Sequence, residues 1–273
     1  MKENINNLTA ALIIICITVL SYNYINTEKK EINEDKDTTH LLRFTPQNGD
    51  RYDFDFSVSM TDPVSVDMGM ELTYYVLSID NNEIDMAIEY TNMSMDMSMG
   101  VESFSYDSRN PGGSEFSDFM HEQLRTMFSS QIECTVSDRG KTIKAPDFAS
   151  LFDVNPDMQK QMEDMNYQME SMFVEYPEKA LKIGDSFDIQ LDKKDMDMDA
   201  VYTLMDVTET EYILSFNADL SGLSEERPIT GTMKGTLHVL RECGMTMSGD
   251  IIMDMETEGM NMTLKLLMEA KKS

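Results

Sequence analysis

Methionine stands at alternate positions in several segments of this chain, and its thioether is the group whose type and spacing could do chemistry. Residues 93–99 read Met-Ser-Met-Asp-Met-Ser-Met, and Met-x-Met pairs recur towards the C-terminus. Thioethers are soft ligands that suit Cu(I), so clusters of them are one way to hold that ion. Methionine is also an adaptable core residue, and methionine-rich surfaces accept varied apolar ligands. Three interpretations are therefore open: a Cu(I) site, an apolar-ligand surface and a packed core.

The candidate ligand-binding residues are the methionines in two long runs of this pattern. They are Met93, Met95, Met97, Met99, Met253, Met255, Met260 and Met262. The Cu(I) interpretation requires thioethers that converge on one point, whereas the ligand interpretation requires them to line a concave face. A packed core needs neither arrangement, because each buried methionine contributes roughly 1.5–3 kcal/mol through the surface it removes from water.

Other chemistry-bearing patterns in the chain do not complete a catalytic or metal-binding motif. His121-Glu122 begins like a zinc-protease motif, but Arg125 stands where the second histidine is required. Residues 195–206 place aspartates at the spacing of a calcium loop, but Ala200 replaces the glycine at which that loop turns. A strand with its aspartates pointing outward explains the spacing better. We therefore expect a non-catalytic protein without a cofactor.

The formal net charge of −28, from 50 acidic and 22 basic residues, limits the class of partner. Nucleic-acid binders need a basic surface to neutralise phosphates, and anionic membrane surfaces repel an acidic protein. Cationic, metallic or apolar partners are compatible with this composition, and an apolar small molecule or a cell-envelope protein is the partner that we expect. The acidic residues are spread along the chain, as expected for solvated outer faces of strands.

The first 25 residues have the pattern of a targeting segment. Lys2 precedes an apolar run over residues 8–20, which has the length of a signal-peptide core. Cys16 raises the question of lipidation, but Ile15 stands where a lipoprotein signal carries a small residue. The sequence predicts export to the periplasm or cell envelope, with cleavage and anchoring both open. Residues 26–40 are polar and are interpreted as a tether, so membrane contact is expected only through the N-terminal segment.

Two cysteines, Cys134 and Cys243, follow the targeting segment. One disulfide between them is compatible with an exported protein. Two free thiols are an equal alternative, because the sequence does not give the separation of the two Cα atoms.

A period of two belongs to β-strands, so most of the chain is predicted to be strand. Residues 50–60, 68–79 and 83–99 are predicted to be strands, with a tight turn at Asp80-Asn81-Asn82. Apolar residues at intervals of three and four predict helices near 114–130 and 155–174. The predicted fold is mainly β (α+β), in which long paired strands bend into curved sheets or half-barrels.

The two strand-rich parts of the chain resemble each other. Residues 48–54 (Asn-Gly-Asp-Arg-Tyr-Asp-Phe) match residues 183–189 (Ile-Gly-Asp-Ser-Phe-Asp-Ile). We interpret this as a degenerate duplication. The predicted organisation is a leader, a linker, a first β half, a helical connector and a second β half, with these ranges: 1–25, 26–40, 41–145, 146–176 and 177–273.

The Gly-Asp-x-[Tyr/Phe] strand starts, the Met-x-Met strands, the middle helices and the glycine turns before the last strands resemble a known family over about residues 41–270. That family consists of exported, Met-rich bacterial proteins that carry a domain of unknown function, and many of its members look like lipoproteins. The resemblance implies an extracytoplasmic location and a β-rich fold. It brings no assigned activity and no catalytic residues.

Overall fold

A computed structural model describes residues 38–61, 64–100, 102–147, 173–193, 196–224, 227–257 and 260–273. Most of these residues lie in strands, which confirms the predicted β-rich fold class. The elements in chain order are β1 (Arg51–Met60), β2 (Ser65–Asp80), β3 (Glu83–Met99), β4 (Glu102–Asp107), helix α1 (Glu115–Leu124), a 3-10 turn (Met127–Ser129), β5 (Gln131–Ser137), β6 (Thr142–Lys144), β7 (Ser186–Lys193), β8 (Met196–Val207), β9 (Glu211–Ser224), β10 (Arg227–Leu240), β11 (Thr246–Thr257) and β12 (Met260–Lys272).

These strands form one antiparallel sheet in the order β6-β5-β3-β2-β1-β12-β11-β10-β9-β8-β7. The short strand β4 pairs with the last part of β3, and β5 pairs with the first part of the same edge. Strand β1 pairs with β12, with Phe56 opposite Met268. The two predicted β halves are therefore joined edge to edge in a single sheet.

The connections between strands fall at two opposite ends of this sheet. We name the end with the β1–β2, β7–β8, β9–β10 and β11–β12 connections the hairpin end. The other end carries the β2–β3, β5–β6, β8–β9 and β10–β11 turns. We name it the strap end, because two segments outside the strands lie against it: the N-terminal strap (residues 40–45) and the middle strap (residues 173–181).

Side chains alternate between a buried inner face and an exposed outer face, as the period of two predicts. In β1 the even-numbered residues from Tyr52 to Met60 are buried, while the odd-numbered ones are exposed or half-buried. The buried residues of the described strands, helix and straps form one apolar cluster. The inner face of the sheet is therefore the core side of the protein.

Hydrogen bonds of the N-terminal strap show that the inner face is concave. The N–H of Phe44 donates to the carbonyl of Asp138 in the β5–β6 turn, at 2.7 Å. The N–H of the next residue, Thr45, donates to the carbonyl of Cys243 in the β10–β11 turn, also at 2.7 Å. In a flat sheet the six strand steps from β5 to β10 would separate these turns by about 29 Å. The sheet must curl to bring both turns to adjacent residues.

The turns at Gly49-Asp50 and Gly184-Asp185, in the two matching sequence segments, are built in the same way. In each, the glycine N–H donates to a strand carbonyl, that of Val76 or Leu204, and the same strand residue donates back to the aspartate carbonyl. The four distances are 2.7–3.0 Å. Matched bonds at both places are what a duplicated unit requires, and the duplication itself stays a prediction.

Local signals placed the β2–β3 turn and α1 correctly. Asn81 and Asn82 have φ of 49° and 69°, the left-handed backbone expected for a two-residue hairpin. Helix α1 begins after Ser114, whose hydroxyl accepts a hydrogen bond from the Ser117 N–H at 3.1 Å. The observed helix α1 is shorter than the predicted range of 114–130, because the chain passes from α1 into the 3-10 turn.

The second predicted helix, over residues 155–174, lies almost wholly outside the described residues. Its last two residues, Phe173 and Val174, are described and are not helical, so the prediction is wrong at this end. They belong to the middle strap, where the Tyr176 N–H donates to the Arg139 carbonyl at 2.7 Å. Pro177 also disfavours helical backbone at the residue before it.

Candidate functional site: the methionine-lined inner face

The first group of candidate methionines lies on the inner face in the part of β3 nearest the hairpin end. Met93, Met95 and Met97 are buried there side by side. On the neighbouring strand, Met68 is opposite Met95 and Met70 is opposite Met93. Directly opposed residues have Cβ atoms about 4.5–5.5 Å apart, so thioethers from two strands form one continuous patch.

The second group lies on β11 and β12, also towards the hairpin end. Met253 is buried opposite Met233 of β10, and Met255 is half-buried opposite Met262. The structure therefore brings candidates from each half together in pairs, but the two groups are on different strands of the sheet. The remaining candidates are in β3 and β12, and their side chains lie outside what the structure describes: Met99 and Met260.

Sequence reasoning left several inner-face methionines out of the candidate set. They are Met60, Met68, Met70, Met198 and Met233, all buried and all in the half of their strand nearest the hairpin end. Some of them stand in Met-x-Met pairs, so the signal was present in the sequence. The strand register, which sets Met68 opposite Met95 and Met233 opposite Met253, is what identifies them as part of the same surface.

The strap end of the inner face is aromatic instead. Phe44 of the N-terminal strap and Phe173 of the middle strap have ring centroids 5.3 Å apart. Phe173 also lies 5.9 Å from Tyr74 of β2, and Tyr74 makes an edge contact with Phe54 at 4.8 Å. The two straps therefore place an aromatic plug on the inner face at this end.

Polar contacts fasten the straps to each other and to the sheet. Arg43 donates to the carbonyl of Pro177 at 2.9 Å, and Arg139 donates through Nε to the carbonyl of Tyr176 at 2.7 Å. The hydroxyl of Tyr176 donates to the carbonyl of Gly244 at 2.8 Å in a buried position. Each strap thus bonds a turn that is distant in sequence, which closes the strap end.

Titratable groups gather at the same end, where Lys272 lies 3.0 Å from both Asp50 and Glu242. Burial alone would lower the pKa of Lys272, but its hydrogen bonds to Glu242 and Asp50 raise it above its usual value. The Tyr52 hydroxyl lies 2.8 Å from Asp50 and 3.4 Å from the Cys243 thiol, and burial raises the pKa of both Tyr52 and Cys243. Lysine, tyrosine and thiol stay protonated at neutral pH, so the cluster acts as a structural anchor.

The two cysteines are separate, buried free thiols. The disulfide that the sequence allowed is therefore not formed in this structure. Cys134 is in β5 and Cys243 is in the β10–β11 turn, so the curl of the sheet decides their separation. Burial raises the pKa of Cys134 to about 12, which leaves little of the thiolate that nucleophilic chemistry needs.

Acidic side chains occupy the outer face, as the alternation predicts. Asp197 and Asp199 are exposed on β8, with Met198 between them on the buried side. This placement agrees with an outward-facing strand and does not form a calcium loop; Asp195 lies outside the described residues. In the described part of the chain, no group of three or more His, Cys, Asp or Glu side chains is arranged to hold a metal ion.

Like charges oppose each other across the outer face at Asp55, which is paired with Glu71 on one side and Glu269 on the other. Burial, then repulsion from these two carboxylates, raises the pKa of Asp55. Its ionised form therefore destabilises the fold at pH 7. We expect Asp55→Asn to raise the free energy of unfolding at pH 7 by roughly 0.2–1 kcal/mol in urea titrations.

The sign of this effect gives it a defined pH dependence. The gain in the free energy of unfolding from Asp55→Asn should shrink as the pH falls through the raised pKa of Asp55. It should vanish below the pKa of an aspartate in the unfolded chain, about 3.9. Asp85→Asn is the matched control of opposite sign, because hydrogen bonds from Ser78 and Thr135 lower the pKa of Asp85. A stabilising effect of Asp85→Asn at pH 7, or an Asp55→Asn gain independent of pH, would contradict this account.

These features define an antiparallel β protein with a concave, methionine-lined inner face, a closed strap end and an acidic outer face. No described helix is long and apolar enough to cross a membrane. The chain belongs to a family of unknown function (DUF6263), whose model matches residues 81–261.

Comparison with other proteins adds two distant likenesses. A search of curated proteins found no significant match. A lipovitellin structure that concerns lipid–protein interactions is similar with a TM-score of 0.44 and 12% identity, over 83% of this chain and 26% of that one. The chain thus spans about a quarter of the length of that lipovitellin chain. DynF, from the dynemicin biosynthesis pathway of Micromonospora chersina, is similar with a TM-score of 0.21 and 7% identity, over 90% of this chain and 92% of that one.

Proposed function

We propose that this chain is an exported, non-catalytic binding protein whose concave inner face takes up an apolar ligand, such as a lipid chain. The observation that carries the proposal is the concentration of methionines towards one end of the inner face. Most of the buried strand methionines lie in the half of the inner face nearest the hairpin end, where Met68 opposes Met95 and Met233 opposes Met253. Fewer, such as Met86 and Met268, are buried in the other half, where the aromatic plug lies.

Burial alone does not account for this choice of residue. Leucine and methionine remove similar apolar surface from water, so a core needs no preference for sulfur. Methionine differs in being unbranched, with three rotatable bonds, so it repacks around a guest at low cost. The methionines close over one another in the free protein, and we propose that ligand binding displaces these side chains and leaves the strands in place.

The remaining parts of the proposal have separate support. Export is inferred from the N-terminal targeting pattern of residues 1–25 and from the family that the sequence resembles. The absence of catalysis is inferred from the incomplete catalytic motifs of the sequence, and the raised pKa values of the two buried thiols disfavour a nucleophilic role for Cys134 and Cys243. An acidic outer face suits a ligand without negative charge.

A second candidate function, Cu(I) binding, is favoured by one observation. Met68, Met70, Met93 and Met95 form two directly opposed pairs on adjacent strands. Four thioethers on one patch are soft ligands within reach of a common point. Binding of Cu(I) requires the sulfur atoms of these methionines. Binding of an apolar ligand requires only the apolar volume and the flexibility of the side chains.

One set of measurements separates the two candidates and the packed core. Native mass spectrometry of protein purified from its source organism is expected to show a co-purifying lipid-sized mass, and a fluorescent lipid is expected to be taken up. The Met93→Leu/Met95→Leu variant should retain lipid uptake, because leucine keeps the apolar volume. Met86→Leu, in the half of β3 nearest the strap end, is the matched control for any loss of stability.

The outcomes that would end each idea are distinct. No co-purifying mass together with no fluorescent-lipid uptake would remove the apolar-ligand proposal and leave a packed core. Stoichiometric, tight Cu(I) binding in a competition titration, lost in Met93→Leu/Met95→Leu and retained in Met86→Leu, would establish the copper candidate. Cu(I) affinity unchanged by the double substitution would end it.

A further inference from the structure

The strap end of the inner face is closed by backbone bonds. The N-terminal strap donates from Phe44 and Thr45 to two different turns, and His40 and Leu181 exchange backbone bonds at 2.7 and 2.8 Å. The rings of Phe44 and Phe173 contact each other between the two straps, with centroids 5.3 Å apart. A ligand entering here would have to break several hydrogen bonds, each of which is costly to leave unmade.

The hairpin end is covered in a different way. Helix α1 lies beside β4, where Phe116 contacts Phe104 with ring centroids 5.1 Å apart. The Tyr106 hydroxyl lies 3.4 Å from Nδ1 of His121. These contacts join side chains, and Phe104 and Tyr106 are the residues opposite Met97 and Met95 on β3. The described contacts between α1 and β4 are therefore between side chains, one apolar and one polar, beside the methionine patch, whereas backbone hydrogen bonds hold the two straps.

Negative charge on the outer face limits which ligand head group can stay at the hairpin end. Asp67 is directly opposite Asp96 on β2 and β3, and Asp199 is directly opposite Asp219 on β8 and β9. These acids stand on the outer side of the strands whose inner side carries the methionines. They repel an anionic head group and tolerate an uncharged or zwitterionic one.

Building on the proposed function, we infer that a single apolar chain enters the inner face at the hairpin end, beside α1. The chain end points towards the aromatic plug, and an uncharged or zwitterionic head group stays at the hairpin end. Methionines nearest the hairpin end contact the part of the ligand close to its head group. Met86 and Met245, at the strap end, lie beyond the chain end.

The test uses the full chain carrying ¹³C-methyl methionine and a single-chain zwitterionic probe, lysophosphatidylcholine, with a nitroxide on its head group or at its chain end. The head-group nitroxide is expected to broaden the methyl signals of Met95 and Met97 more than that of Met86. Nine residues of β3 separate Met95 from Met86, about 30 Å, so the difference should be roughly tenfold or more. The nitroxide at the chain end should make this difference in broadening smaller, or should broaden the methyl signal of Met86 more than that of Met95.

Controls distinguish failure of the inference from failure of the proposed function. Met205, which is 53% exposed on the outer side of β8, reports non-specific contact with the probe. Equal broadening of Met86 and Met95 by the head-group nitroxide, or tighter binding of a fatty acid anion than of lysophosphatidylcholine, would overturn the inference while binding stands. If no inner methionine broadens more than Met205, the proposed function fails as well.

Discussion

Replacing Gly244 with alanine is expected to lower the free energy of unfolding by about 3 kcal/mol or more in urea titrations. Gly244 has a φ of 72°, which disfavours any residue with a Cβ atom by about 1–2 kcal/mol. A methyl group there would also overlap the carbonyl oxygen of Arg43 in the N-terminal strap. The strap would have to move away, which would weaken the nearby bonds from Thr45 and Tyr176.

Gly184→Ala is the matched control for this prediction. Gly184 has a φ of 95°, but a methyl group there would have no atom within 4 Å. Its substitution should therefore show only the backbone cost, about 1–2 kcal/mol. If both variants lost the same stability, the strap would not be packed against Gly244 as described, and the closed strap end would have to be abandoned.

The second large effect is expected at Met95, where replacement with aspartate should cost about 3–5 kcal/mol or prevent folding. Met95 is 2% exposed and is surrounded by Met68 on β2 and Tyr106 on β4. A carboxylate there has no cationic partner among these neighbours, so it is either buried as a charge or protonated at a free-energy cost.

The adjacent residue Asp96 provides the control, because it points to the opposite face of β3. Asp96→Asn removes the repulsion from Asp67 directly opposite, so we expect a small increase in stability. Circular dichroism during urea unfolding at pH 7 measures both variants. A tolerated Met95→Asp, or a strongly destabilised Asp96→Asn, would mean that the inner and outer faces of β3 have been exchanged.

Local sequence signals accounted for much of the fold. Alternation identified β1, β2 and β3, and the residues Asp80-Asn81-Asn82 identified the turn between the last two, because strand period and turn conformation depend on neighbouring residues. Apolar residues at intervals of three and four predicted α1 in the same way. The prediction of a helix over residues 155–174 was wrong at Phe173 and Val174, which belong to the middle strap. Two residues further on, the Tyr176 N–H donates to the carbonyl of Arg139 in a turn that lies elsewhere in the sequence.

The candidate site was predicted in part. The sequence selected Met93, Met95, Met97 and Met253, all of which are buried on the inner face. It did not select Met68 or Met233, although these stand directly opposite Met95 and Met253 on the neighbouring strand in sequence. The predicted turn between β2 and β3 sets the register that pairs Met68 with Met95, so this pair was within reach of sequence reasoning. The state of Cys134 and Cys243 was open because these residues lie far apart in sequence, and only the tertiary structure sets their separation.

The sequence by itself determined which face of each strand is apolar and where the chain turns, because a side-chain period of two and a glycine at positive φ are properties of a few consecutive residues. Only the tertiary structure decided that β1 pairs with β12, that the β5–β6 and β10–β11 turns meet at one strap, and that the strap end is closed. Those contacts join residues that lie in different parts of the sequence, and their free energy exists only once the sheet has curled.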